Sequence, residues 1–527
     1  MLHFFIQEGR NEHESGFFYW KIKNIRSCKT NKGGLQLSNT PIKYFINPEV
    51  KVENNAVEEL HRLLEVNETI VTLQKHSPDY FDDQDAGVLE VAITPDFHKG
   101  SGIPVGTTLF TRGFVLPQAI GNDINCGMRL YVTDLREEQI RTNLDAIERN
   151  VRHVFFEGGR NIPMTRQMRE KMFKEGLIGI LDSHKEANGE GIWRYYNEKQ
   201  QELDLNHVNK MGSFIAESTI GLDDFLGPAE LSRDAQIGSL GGGNHFFEIQ
   251  VVKKVHQGSI ASQWGLKEGQ VVLMIHTGSV SIGYNSGAWI KEMLKKMYPT
   301  SLKHPDNGMY PLPLSERFEP QWRMFWSLLY NAANFAFANR LMLGLMMYKS
   351  ISDVLGDFEH RLLYDAPHNY LWEEQLEQVG GFLHRKGSCT AKSAEQMMGT
   401  PFQYTGEPVF IPGSMGSHSF ILAGLGNRDS LFSASHGAGR ALSRGDAVKV
   451  DDDRFREFLA NFRVINPIDP KRADLRGRSD ILKKWEEELK KEAPYAYKDI
   501  TPVIQSHVDH GMAEIVAEVA PIATVKG

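Results

Sequence analysis

The sequence predicts an α+β fold built around one large domain, and three observations carry that expectation. Short apolar, β-branched runs bounded by glycine and proline turns are interleaved with long stretches of helical periodicity. No Pro/Gly/Ser-rich linker, internal repeat or low-complexity tract divides the 527 residues. The length alone allows two to four domains, yet one continuous core with insertions fits this lack of breaks better. Apolar residues make up 41% of the chain and charged residues 24%, the balance of a globular protein.

Residues 1–43 form an aromatic-rich extension, and residues 44–527 the main domain. In the extension, "HFFIQEGRNEHESGFFYWKIKNI" followed by "NKGG" reads as a few strands of a small antiparallel layer. "NAVEELHRLLEV" then opens an amphipathic helix, with "VLEVAIT" and "GTTLFT" as strands between Gly/Pro turns. Residues 135–232 are polar and mostly helical in pattern, clearest in "LREEQIRTNLDAIERNVRHVF", and suggest a peripheral helical layer. "IGSLGGGNHFFEIQVVKKV", "VVLMIHTGSVSIGY", "PVFIPGSMGSHSFILAG" and "LFSASHGAGRALSR" read as strands whose glycine-rich ends are the tips of a sheet. "FWSLLYNAANFAFANRLMLGLMMYKSISDVL" is apolar on nearly all sides, which predicts a buried helix whose methionines pack rather than bind a cofactor. "RSDILKKWEEELKK" carries Glu and Lys at helical spacing, the pattern of a solvated face.

Composition also excludes. No basic segment followed by an apolar run opens the chain, and its most apolar stretch is interrupted by Asn339 and Arg340, so no membrane partner is expected. Cys28, Cys126 and Cys389 are odd in number and far apart, which predicts free thiols and a reducing cytoplasm. A net charge of -8 argues against coating nucleic acid non-specifically, while leaving room for a local basic groove.

Six candidate donors sit in glycine-flanked turns after apolar runs: Asp123, Cys126, His245, His276, His368 and His436. In "GNDINCGM" a tight turn can bring Asp123 and Cys126 together. A thiolate, imidazoles and a carboxylate suit a divalent first-row transition metal such as zinc or manganese better than magnesium or calcium. The spacing is not that of a zinc finger, and any one of these histidines alone is more often a hydrogen-bonded structural residue than a ligand. In "SASHGAGR", His436 is followed by small residues and Arg440. A phosphate would fit there, and an imidazole is a competent nucleophile toward phosphorus; a tight turn around a buried histidine is the alternative.

Taken together, "PDFHKGSGIPVGT", "GNDINCGMRL", "GSLGGGNHFFE", "HTGS", "HRKG", "IPGSMG", "SHGAGRALSR" and "VKG", in that order from about Tyr44 onward, resemble the RtcB-type RNA-splicing ligases. The resemblance implies mixed and antiparallel sheets flanked by helices. It also implies a GTP- and manganese-dependent enzyme that joins RNA ending in a 2′,3′-cyclic phosphate or 3′-phosphate to RNA with a 5′-hydroxyl, in tRNA processing or RNA repair. Carried onto this chain, Cys126 would bridge two manganese ions, with Asp123 and His245 completing one site and His276 and His368 the other. His436 would be the nucleophile that carries GMP. Asn244, Glu248, Ser414, Gly416, Ala438, Gly439, Tyr497 and Lys526 would bind the nucleotide, with Glu248 reading the guanine edge and Tyr497 stacking on the base. Lys386 and Arg440 would meet RNA phosphates, and an archease-type activator is a candidate partner.

The chain also departs from that pattern. Val280 stands where an arginine that binds RNA phosphate is expected, "HRKG" continues as "SCTAK", so that Lys392 would have to compensate, and "PDFHKG" has lysine where proline is common. These changes predict intact nucleotide chemistry with an altered RNA-end preference. The same residues leave two other readings, a metal-dependent phosphodiesterase or end-healing enzyme and a non-catalytic RNA- or nucleotide-binding protein.

Overall fold

In "QVVLMIHT" every other side chain is apolar toward each of two cores, and the computed structural model, which describes residues 40–450 and 453–527, shows why. In the strand Gln270–Thr277, Val271, Leu273 and Ile275 enter one core while Val272 and Met274 enter another, so no position faces water. This strand lies inside an eight-stranded sheet ordered His360–Pro367, Gly127–Arg136, Gln270–Thr277, Phe246–Val255, Ala513–Val525, Ser419–Gly424, Pro408–Ile411. Its neighbours are antiparallel, and Arg463–Ile465 joins Ala513–Val525 in parallel. A five-stranded sheet runs Ile42–Tyr44, Gly87–His98, Val105–Arg112, Val379–Lys386, Asn369–Leu376, parallel only in its first pair. The fold is therefore α+β with mixed and antiparallel sheets flanked by helices, as expected. The aromatic strands expected at the start of the chain lie outside the described residues.

Antiparallel pairing collects alternate strand ends at one edge. Gly127 pairs with Thr277 and with Pro367, and Phe247 with Ile275 and Val525, so the starts of two strands lie level with the ends of three. Cys126, His245, His276, His368 and Lys526, each in or beside these strand ends, share that edge. After Pro367 the chain leaves this sheet and enters the other at Asn369, which pairs with Lys386. His368 is the single residue between them.

The helix Glu319–Leu355 spans about 55 Å at the standard rise. Its buried residues run from Phe325 to Ile351 around nearly the whole circumference, as the sequence pattern predicts. It packs on the helices Leu144–Phe156, Arg166–Ser183 and Val280–Met297. Here the expected peripheral layer needs correction: residues 135–232 are rich in helix, but Met172, Phe173, Leu177 and Ile180 are core residues, and Phe173 stacks on Phe335 at 6.0 Å. Polarity averaged along the segment hid this buried stripe. The helix Ser479–Lys490 is largely exposed, with Leu489 buried. Among the described residues no helix is long and apolar enough to cross a membrane.

Polar residues buried on the long helix fasten loops to it. Asn334 donates to the carbonyls of Phe173 and Phe214, and Asn339 exchanges hydrogen bonds with the backbone of Ser239. Arg340, fully buried, donates through Nε to Asp365 Oδ1 at 2.9 Å, through Nη1 to the carbonyls of Asn125 and Thr277 at 2.7 and 3.0 Å, and through Nη2 to Asn125 Oδ1 at 3.0 Å. One guanidinium thus ties together the residues next to Cys126, His276 and, three positions on, His368. Removing one partner of such a buried pair leaves an uncompensated charge, at a cost of about 3–5 kcal/mol. Arg340→Met is accordingly expected to lower the urea unfolding midpoint markedly; a midpoint unchanged from wild type would contradict the clamp.

Candidate functional site

At the shared edge the five sequence-predicted donors form one contiguous chain of contacts. Asp123 Oδ2 lies 2.8 Å from His245 Nε2, Cys126 Sγ lies 3.3 Å from both His245 Nε2 and His276 Nε2, and His276 Nε2 lies 3.2 Å from His368 Nε2. The ligand atoms of Cys126, His245 and His276 all fall within 4.8 Å of one another. Cys126 is therefore shared by two overlapping triads, one ending in Asp123 and the other in His368. The turn carrying Cys126 is held by hydrogen bonds from Asn125 N to Asn369 O and from His368 N to Cys126 O, 2.9 and 2.8 Å. A Cβ on Gly278 would stand 2.4 Å from Asp123 Oδ1, so a glycine after "HT" is what lets the two loops meet.

The electrostatics of this cluster fit a bound cation. Burial, then neighbouring imidazoles, hold His276 and His368 well below the ordinary histidine range, so both are neutral at neutral pH. Burial and the Asp123 carboxylate push the Cys126 thiol well above its ordinary value, and only a cation would recover the thiolate there. His245 Nδ1 sits 3.1 Å from the Leu240 carbonyl, which can only accept and so fixes a proton on Nδ1, turning Nε2 toward Asp123 and Cys126. Asp123 Oδ1 and His276 Nδ1 are buried without a hydrogen-bond partner.

His436 follows the short strand Ser433–Ser435 and stacks near the cluster, its ring centroid 4.6 Å from that of His368. Its Nδ1 lies 2.6 Å from Asp96 Oδ2 and 2.9 Å from the Gly387 carbonyl. Two acceptors fix a proton on Nδ1 and leave Nε2 outside that contact. Asp96 is fully buried and also accepts from Thr94 Oγ1 at 2.6 Å. Burial pushes its carboxyl up, but the hydrogen bonds and charge of His436 and the bond from Thr94 outweigh this and hold it below the usual range. Gly439, at φ 78°, approaches the Asp96 carbonyl so closely that a Cβ would come within 2.5 Å. Asp96 was visible in "PDFHKG" but had no assigned role, because only the tertiary fold puts it beside a residue 340 positions away.

The remaining candidates surround this centre. Glu248, fully buried, accepts from Thr524 Oγ1 and Gln250 Nε2 at 2.6 and 2.7 Å, and burial pushes its carboxyl up to about 7. Lys526 Nζ donates to the Gly243 carbonyl at 2.6 Å and is brought down to about 8 by burial. Asn244 lies half-buried in the adjoining loop, and Ala438 is buried beside His436. Ser414 and Tyr497 line one cavity of about 410 Å³ together with Phe420 and Lys498. Gly416 packs at φ 75° against Phe458. Lys386 Nζ lies against Gly121, where a Cβ would meet it at 2.3 Å; burial lowers its pKa despite the nearby Asp123 and Cys126.

Arg440 is placed otherwise than as a phosphate ligand. Its guanidinium donates to the carbonyls of Leu442 and Lys491, to Glu492 and to Tyr497 Oη, and covers one face of the Tyr497 ring at 5.0 Å. Glu492, a buried carboxylate that also pairs with Arg444, was not picked out from sequence because "KKWEEELKKEA" reads as surface charge throughout. Val280 opens the helix Val280–Met297 at φ 48°, and Lys392 pairs with Glu374 at 3.4 Å.

Residues 85–527 match the family model described as "tRNA-splicing ligase RtcB". The tRNA-splicing ligase RtcB of Thermococcus kodakarensis is 32% identical over 454 residues, covering 82% of this chain and 87% of that protein. The RNA-splicing ligase RtcB of Mycobacterium tuberculosis is 31% identical over 447 residues, covering 82% and 96%. The tRNA-splicing ligase RtcB of Pyrobaculum aerophilum is 30% identical over 463 residues, covering 82% and 87%. A match that takes in the whole donor cluster, Asp96, His436 and Lys526 leaves one assignment: the chain belongs to the RtcB tRNA-splicing ligase family, a family of RNA ligases.

Proposed function

We propose that the protein is a GTP- and manganese-dependent ligase that joins RNA with a 2′,3′-cyclic phosphate or 3′-phosphate end to RNA with a 5′-hydroxyl, through guanylylated His436. The observation that carries this reading is the Asp96–His436 pair at 2.6 Å, which leaves Nε2 free beside the Cys/His/Asp cluster. Asp123, Cys126 and His245 would hold one manganese ion, and Cys126, His276 and His368 the other. Bound there, the ions would supply Lewis-acid neutralisation of charge on phosphoryl oxygens.

His436 Nε2 forms a bond to the α-phosphorus of GTP while the bond to pyrophosphate breaks. The positive charge on the ring is stabilised by Asp96 and the Gly387 carbonyl at Nδ1. Where the end is a cyclic phosphate, water first adds to its phosphorus as the bond to the 2′-oxygen breaks and that oxygen takes a proton; an oxygen of the resulting 3′-phosphate then takes the GMP as the P–N bond breaks. The 5′-hydroxyl attacks the activated 3′-phosphorus and expels GMP. Lys386 would hold the RNA phosphate. Glu248 would accept from the guanine N1 and N2 hydrogens, which adenine does not offer in that arrangement. Lys526 would reach the guanine or ribose, Tyr497 would stack on the base by the face that Arg440 leaves open, and Asn244, Ser414, Gly416, Ala438 and Gly439 would line the nucleotide pocket.

Intact-mass analysis after incubation with GTP and manganese is expected to show addition of one GMP to wild type and none to His436→Ala. Metal-loaded, folded wild type that gains no mass overturns the reading. Asp96→Asn keeps the shape but not the charge and is expected to slow guanylylation about 10²–10⁴-fold, measured by single-turnover kinetics. GTP affinity should be highest between about pH 7 and 8, since Glu248 loses its charge as pH falls through about 7 and Lys526 loses its charge as pH rises through about 8. Glu248→Gln should abolish the acid limb of that profile and leave the alkaline one.

A further inference from the structure

We propose that the outer face of the helix Val280–Met297 is a stacking platform for the single-stranded RNA leading to the reacting 3′ end, with Tyr284 stacking on an unpaired base and Lys291 meeting a backbone phosphate. The inference rests on the RNA-ligase reading of the adjoining cluster, and deepens it by naming how the strand is held.

The helix starts at the candidate site. Three residues separate His276 from its first residue, and Gly278, in that link, lies against Asp123 and the Cys126 backbone. Its inner face stays there for two turns: glycines at 283 and 287 both pack on Asn122, the neighbour of Asp123, where a Cβ would stand 2.6 and 2.7 Å from Asn122 oxygens. The side chain beside the first of these contacts is Tyr284, 68% exposed. An exposed aromatic ring one turn from a catalytic cluster forfeits its burial unless something covers it.

Helical spacing extends the feature away from the cluster. Tyr284, Ala288 and Lys291 are related as i, i+4 and i+7, so they share one face, and all three are exposed. Ala288 leaves the surface between the other two low. The rise puts Lys291 about 10 Å beyond Tyr284, a span on the order of two nucleotides of extended strand. On this face Lys291 has no ion-pair partner among the described residues, whereas Lys295 is neutralised by Glu292 at 2.9 Å. The face therefore carries surplus positive charge on a chain whose net charge is -8. A ring followed by a lysine, running outward from the place where a 3′-phosphate must sit, matches a nucleic-acid strand, for which base stacking and phosphate contacts are the sequence-tolerant modes of binding. A protein partner would give no reason for the face to begin at the cluster.

The test uses the full chain and a dye-labelled, unstructured RNA oligonucleotide bearing a 3′-phosphate, read by fluorescence anisotropy. Tyr284→Ala is expected to weaken binding roughly tenfold, Tyr284→Phe to keep wild-type affinity, and both to keep the wild-type melting midpoint. Moving an abasic nucleotide along the oligonucleotide should weaken wild-type binding at one position near the 3′ end and have no effect there in Tyr284→Ala. Wild type that takes up GMP and joins RNA while Tyr284→Ala binds equally well, with no abasic-sensitive position, overturns the platform and assigns the face to a protein partner. Wild type that takes up no GMP and joins no RNA overturns the ligase reading, and the platform with it.

Discussion

The site depends on a carboxylate held between two buried guanidiniums. Asp365 accepts from Arg129 at 3.0 Å and from Arg340 at 2.9 Å, and all three side chains are fully buried. One negative charge against two positive ones would be costly in a dry interior, where desolvation outweighs simple pairing. The excess is met locally. Arg340 spends its other donors on Asn125 and Thr277, and its positive charge acts on Cys126 to favour the thiolate against the burial that opposes it. The same interaction that ties three loops to the long helix thus biases the charge of the residue those loops surround.

Sheet geometry makes such a clamp effective. Antiparallel strands bring the beginnings of some strands level with the ends of others, so ligands distant in sequence arrive at one edge without any long loop. His368 sits where the chain crosses from one sheet to the other, and a hydrogen bond from Asn369 Nδ2 to the Asp123 carbonyl, at 3.3 Å, binds the crossover to the cysteine turn. The donors are then fixed by backbone as much as by side-chain rotamers. Held in this way, His276 and His368 keep their Nε2 atoms 3.2 Å apart.

Around that centre, cationic residues divide into those spent on the fold and those facing outward. Arg129, Arg340, Arg385 and Arg440 are committed to internal carboxylates, hydroxyls or carbonyls. Lys291 and Lys296 of the helix Val280–Met297 are exposed and make no ion pair among the described residues. Val280, a β-branched residue, is held in left-handed backbone at the helix start.

By itself the sequence determined what local chemistry determines. Two-residue alternation marked the strands, all-round hydrophobicity marked the long helix, and glycine-flanked donors marked the turns that carry Asp123, Cys126, His245, His276, His368 and His436, because each signal is contained within a few neighbouring residues. The blocks quoted for the family resemblance were equally local. Pairing was not. Asp96 beside His436, Arg340 beneath three loops, Glu492 buried just past a charged helix, and Arg440 bound to Glu492 and the Lys491 carbonyl all depend on contacts between residues far apart in the chain. The burial of residues 166–183 depends on a partner helix that begins at residue 319. Which carboxylate orients His436, and which arginine is structural, are decided by what lies across a contact, and only the tertiary structure contains that.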